Sequence, residues 1–124
     1  GMTREEKKQL EARAKVLKAM SHPTRLWILN RLAEGERCVC ELVDGVDADF
    51  STVSRHLAVL REAGIVSDER RGKQVIYSLL VPCVLQFMTC IEAVLSGNER
   101  ERLPLGPDDL QSCRLPSAGL SCKR

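Results

Sequence analysis

The stretch Ser51-Thr52-Val53-Ser54-Arg55-His56-Leu57 carries the pattern that decides the fold. Val53, Leu57 and Leu60 recur at helical spacing and define one apolar face. The polar side chains around the first turns of the same helix are Ser51, Thr52, Ser54, Arg55 and His56. The helix is predicted to run from about Ser51 to Ala63 and to be closed by Gly64. The pattern therefore predicts a helix that packs on one side and meets solvent on the other.

A shorter helix precedes this one and a β-hairpin follows it. Residues Cys38 to Val43 are predicted to form a helix that stops at Asp44-Gly45, and two helices with a tight turn region between them suggest a helix-turn-helix. The runs Ile65-Val66 and Val75-Ile76-Tyr77-Ser78-Leu79 are β-branched and aromatic, which predicts the strands of a hairpin. The basic residues around its tip at Gly72 are Arg70, Arg71 and Lys73.

Amphipathic helices are predicted on both sides of this unit. One covers Arg4 to Met20, and a second, Thr24 to Glu34, follows the break at Ser21-His22-Pro23. The last helix, Cys83 to Leu95, is more apolar than one small core needs, which indicates a subunit interface. The sequence therefore predicts a mainly α domain with a β-hairpin over residues 4–96.

Composition fits one small globular domain, with 124 residues, 44% hydrophobic content and a formal net charge of +2. The charge permits nucleic-acid binding without requiring it. No stretch has the roughly 18 consecutive apolar residues of a membrane span or the apolar core of a signal peptide, so we expect a cytoplasmic protein. Residues 97–124 hold three of the five prolines and lack periodicity. They are predicted to form a Cys-containing tail whose order the sequence leaves open.

The order of the predicted elements is that of a winged helix-turn-helix, in which the second helix of the pair enters the DNA major groove. From about Lys15 to Leu95 the chain also resembles the ArsR/SmtB family of bacterial metal- and metalloid-responsive repressors. The motifs that carry the resemblance are Ser21-His22-Pro23-Thr24-Arg25-Leu26, Cys38-Val39-Cys40-Glu41-Leu42, Ser51-Thr52-Val53-Ser54-Arg55-His56-Leu57, Leu60-Arg61-Glu62-Ala63-Gly64-Ile65-Val66 and Arg71-Gly72-Lys73. The resemblance implies a homodimer joined through its first and last helices, which represses a resistance operon until an inducer weakens its hold on DNA.

The predicted contacts to operator DNA lie on the polar-faced helix and on the hairpin tip. Ser51, Thr52, Ser54, Arg55 and His56 are expected to reach bases or phosphates, although a solvated helix face is the alternative for each of them alone. Ser51 could instead serve the helix start, and His56 could orient the helix through a backbone hydrogen bond. Arg70, Arg71 and Lys73 suit phosphates or a narrow minor groove, and a merely soluble turn is the alternative.

Cys38 and Cys40 are the predicted inducer site. In a regular helix they project about 200° apart, so both can hold one ion only if that turn is distorted. An ion that binds the distorted form better shifts the population away from the DNA-competent shape. Thiolate ligands select soft ions, so As(III) or Sb(III) is the first prediction. A cadmium or lead sensor, a thiol-redox sensor and a pair of buried structural thiols are the alternatives.

A third ligand is the open point of this site. Some arsenic-responsive relatives use C-x-C-x-x-C, and the third position here is Val43. A small molecule would complete the site, or Cys113 or Cys122 of the tail would. Cys83 and Cys90 stand about 10.5 Å apart along their helix, so within one subunit they cannot chelate the same ion, and packing is their expected role.

An enzyme is not expected. The sequence has no phosphate-binding glycine loop and no Ser-His-Asp grouping, and it holds only two histidines. A winged-helix module that binds protein instead of DNA is a further alternative, and it would fail to retard promoter fragments even at low salt.

Overall fold

The computed structural model describes residues 1–97. Within that range the helices are α1 (Arg4–Met20), α2 (Pro23–Ala33), α3 (Val39–Gly45), α4 (Phe50–Glu62) and α5 (Val84–Ser96), and the strands are β1 (Arg37–Cys38), β2 (Val66–Arg71) and β3 (Gln74–Leu79). None of these helices is long and apolar enough to cross a membrane. The predicted tail, with Cys113 and Cys122, lies outside the described residues.

Side chains just before the helices fix where they begin. The His22 Nδ1 atom accepts a hydrogen bond from the Thr24 amide at 3.1 Å, and Pro23 occupies the first turn of α2. The Asp49 carboxylate accepts from the Thr52 amide at 2.8 Å at the start of α4. Each of these bonds satisfies one of the amides that lack a partner inside the helix.

The sheet is antiparallel in the order β1-β3-β2, and β2 and β3 form the predicted hairpin. Gly72 has a φ of +63°, so a left-handed residue stands in the tight connection, where glycine is favoured. Strand β1 pairs Arg37 with Tyr77 and Cys38 with Ile76. The sequence analysis predicted only two strands, because a two-residue strand is too short to show a period of two.

The core lies between α2, α3, α4 and the sheet. Its most deeply buried side chains are Ile28, Leu29, Leu42, Val53, Leu57, Leu60, Ile65 and Val66. Burying each of them contributes about 1.5–3 kcal/mol to folding. Outside this core, α1 and α5 leave apolar side chains in solvent, namely Leu10, Val16, Leu17, Phe87, Ile91, Val94 and Leu95. The excess apolar surface predicted for the last helix is therefore present in the folded chain.

Candidate nucleic-acid interface and cysteine pair

Helix α4 follows α3 in the predicted helix-turn-helix and presents a polar face. Its apolar stripe, Val53, Leu57 and Leu60, is completely buried. On the remaining sides of the helix, the predicted contact residues Ser51 and Arg55 are exposed, and Thr52 and Ser54 are half-buried. The structure therefore leaves Ser51 and Arg55 fully accessible and the other three predicted α4 contacts partly so.

The first turn of α4 is organised around Asp49. Its carboxylate accepts hydrogen bonds from the Thr52 amide at 2.8 Å and from the Ser51 hydroxyl at 3.2 Å. The bonds from Thr52 and then from Ser51 hold the pKa of Asp49 below its ordinary value. The Ser51 hydroxyl thus donates to the residue that caps α4. Its own lone pairs remain available to accept hydrogen bonds.

His56 is half-buried like Thr52 and Ser54, but its ring contacts side chains at the start of α2. Its Nδ1 atom accepts a hydrogen bond from Arg25 Nε at 3.1 Å, and its ring centroid lies 4.4 Å from that of His22. Burial, followed by the charges of His22, Arg25 and Arg55, lowers the pKa of His56. The alternative considered from sequence was a backbone hydrogen bond, whereas the observed partner is a side chain of α2.

The three basic wing residues differ in their surroundings. Arg70 and Arg71 end β2, and Lys73 lies in the turn, so only Lys73 sits at the tip itself. The Arg71 guanidinium binds both Glu36 oxygens, at 2.5 and 3.0 Å, and also the Glu69 carboxylate. These bonds, with Glu36 first, raise the pKa of Arg71 and lower that of Glu36. Among residues 1–97, no ion pair involves Arg70 or Lys73, so both cations face solvent uncompensated.

One ion pair joins the wing to α4. Arg61 Nη1 lies 2.9 Å from Asp68 Oδ2, which connects the last turn of α4 to β2. The hydrogen bond from Arg61 to Asp68 is the main cause that raises the pKa of Arg61. Both side chains are well exposed, so the pair orients the two elements more than it stabilises them.

The predicted geometry of the cysteine pair is wrong in one respect. Cys38 is not in the helix: it ends β1 with extended backbone (φ −78°, ψ 160°) and caps α3, which begins at Val39. The Cα atoms of Cys38 and Cys40 are 5.4 Å apart, and their sulfur atoms are joined in a disulfide. The two sulfurs therefore converge without any distortion of α3, because the 200° separation applies only when both residues are helical.

The sulfur of Cys38 also has a structural task. It accepts a hydrogen bond from the Glu41 amide at 3.3 Å, and the Glu41 carboxylate accepts from the Cys38 amide at 3.1 Å. This reciprocal arrangement is a capping box in which cysteine replaces the usual serine or threonine. Cys38 is 3% exposed while Cys40 is open to solvent, so a ligand reaches the pair from the Cys40 side.

No cluster of three or more His, Cys, Asp or Glu side chains suited to a metal occurs in the part of the chain that the structure describes. The Gln74 side-chain amide approaches Cys40, with its nitrogen 4.0 Å from the sulfur. Cys83 directly precedes α5 and Cys90 lies within it, both half-buried. The packing role expected for these two remains a prediction.

Three contributors to the site escaped the sequence analysis. Phe50 opens α4 and is 62% exposed, although large apolar side chains are normally buried. Glu36 holds Arg71 across 35 residues of sequence, and Arg25 holds His56 across 31. Arg25 lies in the motif Ser21-His22-Pro23-Thr24-Arg25-Leu26, which is the only feature of the sequence that indicates a role for it. The pairing of Glu36 with Arg71 has no local signature.

Comparison with known proteins gives the family. The sequence pattern described as "Bacterial regulatory protein, arsR family" matches residues 22–68, from the cap of α2 into β2. The arsenic resistance transcriptional regulator ArsR1 of Pseudomonas putida is 37% identical over 112 residues, which are 86% of this chain and 84% of that protein. The chain belongs to the ArsR family. The relatives named here are transcriptional regulators.

Other relatives agree with the architecture of an ArsR-family regulator. The HTH-type transcriptional repressor SmtB of Mycobacterium tuberculosis is 43% identical over 70 residues, 56% of this chain and 52% of that protein, so the match spans about half of SmtB. The homodimeric winged helix-turn-helix domain of Mb0332 from Mycobacterium bovis superposes with a TM-score of 0.66 at 26% identity, covering 86% of this chain and 97% of that one. The predicted winged helix-turn-helix fold is confirmed.

Proposed function

We propose that this ArsR-family repressor is released from its operator by a thiophilic metalloid, As(III) or Sb(III), bound by Cys38 and Cys40. Cd(II) and Pb(II) are the next candidates, because they are soft ions as well. The protein acts in the cytoplasm, where bacterial operators are. ArsR1, the P. putida relative, carries arsenic resistance in its name, which favours arsenic over the other ions.

The convergence of the two sulfur atoms at the start of α3 carries this proposal. Their residues are two apart in sequence and 5.4 Å apart at Cα, so one ion can contact both reduced sulfurs. Reduced Cys38 and Cys40 react with arsenous acid, As(OH)₃, to form two As–S bonds, and the two thiol protons leave with two hydroxyls as two waters. The remaining As–OH group exchanges with a third thiol and releases a third water.

The surroundings of the pair supply a path to the DNA-binding elements. An ion on Cys38 competes with the hydrogen bond that caps α3, and α3 packs directly on α4. Cys38 is also paired with Ile76 in the wing strand β3, and Gln74 of the same strand lies against Cys40. Ion binding therefore acts on the start of α3 and on the wing together, by no more than its preference for one arrangement over the other.

Operator contact is assigned to the exposed face of α4 and to the wing. Arg55 is the residue for base recognition, since its guanidinium matches guanine O6 and N7, and the short hydroxyl residues Ser51, Thr52 and Ser54 suit phosphates or bases. Phe50 adds an exposed aromatic ring at the end of the helix that enters the groove, where apolar side chains contact the thymine methyl group. Arg70 and Lys73 are the wing cations ready for phosphate, while Arg71 must first exchange its carboxylate partners.

A homodimer through α1 and α5 completes the proposal. The two helices leave Leu10, Leu17, Phe87, Ile91 and Leu95 in solvent, and a second copy would cover them. The Mb0332 domain, which has the same fold, is homodimeric. Two-fold symmetry would place one α4 in each half of a palindromic operator.

An ion titration tests the proposed function. The probe is a DNA duplex that the reduced full-length protein selects from a random-sequence pool, named the selected duplex below. Arsenite, antimonite, cadmium, lead and zinc are added in turn, and bound DNA is followed by fluorescence anisotropy. Release by arsenite or antimonite at the lowest concentration supports the proposal. Release by zinc alone, or by none of the five, contradicts it.

A thiol-redox repressor is the second candidate, and the disulfide between Cys38 and Cys40 favours it. Two thiols and one molecule of hydrogen peroxide give the disulfide and two waters. Peroxide added to reduced protein in metal-free buffer would then release the selected duplex, and a dithiol would restore binding. Release by arsenite under steadily reducing conditions, with no response to peroxide, separates the metalloid sensor from this redox sensor.

The source of a third thiol is tested by comparing the tail cysteines. Cys113→Ser and Cys122→Ser change no residue of α3, α4 or the wing, so DNA binding should be preserved in both. If one of them supplies the third sulfur, its replacement raises the arsenite concentration needed for release by about tenfold, equivalent to about 1.4 kcal/mol. Unchanged response in both variants assigns the third position to a small thiol or to water.

A further inference from the structure

We propose that Arg25 and His56 are positioning residues that hold the recognition helix α4 against the end of α1, so that DNA affinity depends on two residues that do not touch DNA. This inference rests on the proposed DNA-binding function. It gives His56 the helix-orienting role that the sequence left as the alternative to a base or phosphate contact, with the Arg25 side chain in place of a backbone partner.

The Arg25 guanidinium joins three helices. Arg25 lies in the first turn of α2, its Nη1 atom donates to the Ala19 carbonyl oxygen at 3.1 Å, and its Nε atom donates to His56 Nδ1 at 3.1 Å. Ala19 belongs to the last turn of α1, where carbonyl groups have no partner within the helix. The planar, rigid arrangement of the donors makes arginine suited to bridge two fixed acceptors.

A second contact fixes the His56 ring on its other side. The ring lies 4.4 Å from that of His22, and His22 in turn accepts the Thr24 amide as the cap of α2. His56 is therefore bound to Arg25 and packed against His22, both from the start of α2. Leu57 and Leu60 pack the apolar side of α4 into the core without a directional bond. The Arg25 bond adds a direction, because it ties one position of α4 to the start of α2.

The distance between the two recognition helices of a dimer gives this link its functional weight. In a dimer built on α1 and α5, each α4 must enter the major groove one DNA turn from its partner, about 34 Å away. Helix α1 carries part of the dimer surface, and Arg25 connects the end of α1 to the middle of α4. Without the Arg25 bridge the distance between the two α4 helices varies over a wider range. Affinity for DNA therefore falls, while the identity of the contacted bases stays the same.

Protonation of His56 breaks the same link. Nδ1 can accept the Arg25 hydrogen bond only when it carries no proton. The charged groups around the ring are His22 and Arg25 from the α2 side and Arg55 from α4, and Lys15, Lys18 and Glu62 line the neighbouring cavity bordered by Arg25. An imidazolium here would face mainly positive charge. The lowered pKa of His56 keeps the ring neutral near pH 7, and acid titrates it.

Four variants of the full chain test the proposal, with affinity for the selected duplex measured between pH 5.5 and 8. Arg25→Gln removes the bridge, and Arg31→Gln removes the same charge from an exposed site on α2 as its control. His56→Asn keeps an acceptor near the position of Nδ1 but cannot be protonated. His22→Asn keeps a good helix cap while removing the other imidazole. Thermal unfolding of each variant is recorded at every pH.

The expected results separate positioning from DNA contact. Arg25→Gln lowers affinity about tenfold at pH 7.5, or about 1.4 kcal/mol, with base preference and salt slope unchanged. The DNA affinity of Arg31→Gln stays within about twofold of the wild-type affinity. The wild-type protein and His22→Asn lose affinity in acid, at a pH below the ordinary range of histidine because the pKa of His56 is lowered, whereas His56→Asn does not.

Three outcomes overturn the inference. One is equal affinity of Arg25→Gln and Arg31→Gln. Another is a loss of DNA affinity at acid pH in His56→Asn that equals the loss in the wild type. This comparison can be made even if Arg25→Gln fails to fold. The third is a lower salt slope or relaxed base preference in His56→Asn, which would make His56 a DNA contact after all. Failure of the proposed function looks different, because then the wild-type protein selects no duplex from the pool.

Discussion

Replacing Cys38 separates its role in capping α3 from the chemistry of its sulfur. The thiol accepts the Glu41 amide at 3.3 Å and is 3% exposed. Serine is a favoured N-cap and retains the reciprocal bond with Glu41, so reduced Cys38→Ser should unfold with nearly the wild-type free energy. Alanine cannot accept the bond, so Cys38→Ala should lower the free energy of unfolding by about 1 kcal/mol.

Both substitutions remove the soft ligand. If Cys38 and Cys40 bind arsenite together, each Cys38 variant needs at least about tenfold more arsenite to release the selected duplex, a difference of about 1.4 kcal/mol. Cys40→Ser is the matched control for stability, because Cys40 is exposed and accepts no capping bond. It should lose the arsenite response to the same degree and keep wild-type stability.

Urea unfolding and arsenite titration of the reduced proteins are the two measurements. Equal stability of Cys38→Ser and Cys38→Ala would show that the capping bond contributes nothing. Release of DNA from both serine variants at the wild-type arsenite concentration would remove the pair from the mechanism. A response lost in Cys38→Ala and retained in Cys38→Ser would show that the cap matters for release and the sulfur does not.

Three further experiments test the interface and the packing around α3. Lys73→Ala should weaken binding to all DNA sequences alike and make the slope of log affinity against log salt concentration shallower by nearly one unit. Arg55→Ala should also relax base preference. Identical effects of the two variants on slope and preference would contradict their assignment. Replacing thymine by uracil at one or more positions of the selected duplex should weaken binding by the wild-type protein, because the methyl group is lost. Binding by Phe50→Ala should not change with this replacement. If neither protein responds to it, Phe50 has no part in recognition. Gly45→Ala should destabilise the fold by about 1–3 kcal/mol in thermal unfolding, since a new Cβ would meet Cζ2 of Trp27 at 2.6 Å. Trp27 is the one tryptophan of the sequence, so its fluorescence emission reports on this contact, and unchanged emission would contradict the clash.

The helices could be predicted from sequence because their signals are local. Helix α1 has the predicted bounds, Arg4–Met20, and α4 lies within one residue of its predicted limits. Apolar spacing and a following Gly64, with φ of +82°, agree with one another in α4, whereas its cap is Asp49 and not Ser51, the residue considered from sequence. Strand β1 has no such pattern, since its pairing with β3 depends on residues about 40 positions later in the chain.

The candidate site was predictable in its residue types and less so in its geometry. The C-x-C motif identified the sulfur pair, but a helical period was applied to Cys38, which is extended. The polar face of α4 included His56 because sequence spacing does not show which flank of a helix a neighbour covers. That flank is covered by Arg25, from a helix 31 residues earlier. Long-range side-chain bonds of this kind become visible only when the fold is known.

The energies at the cysteine pair limit how an inducer can release DNA. Loss of the hydrogen bond that caps α3 is worth about 1 kcal/mol, which changes an equilibrium only about fivefold. A hundredfold loss of operator affinity needs about 2.7 kcal/mol, so the cap alone is too weak for strong induction. The remaining difference has to come from other contacts that the ion disturbs, and those nearest the pair are the pairing of Cys38 with Ile76 and the approach of Gln74 to Cys40. If induction is strong, Gln74→Ala should therefore reduce the ratio of affinities with and without arsenite. If induction is only about fivefold, the cap of α3 is sufficient and Gln74→Ala should leave that ratio unchanged.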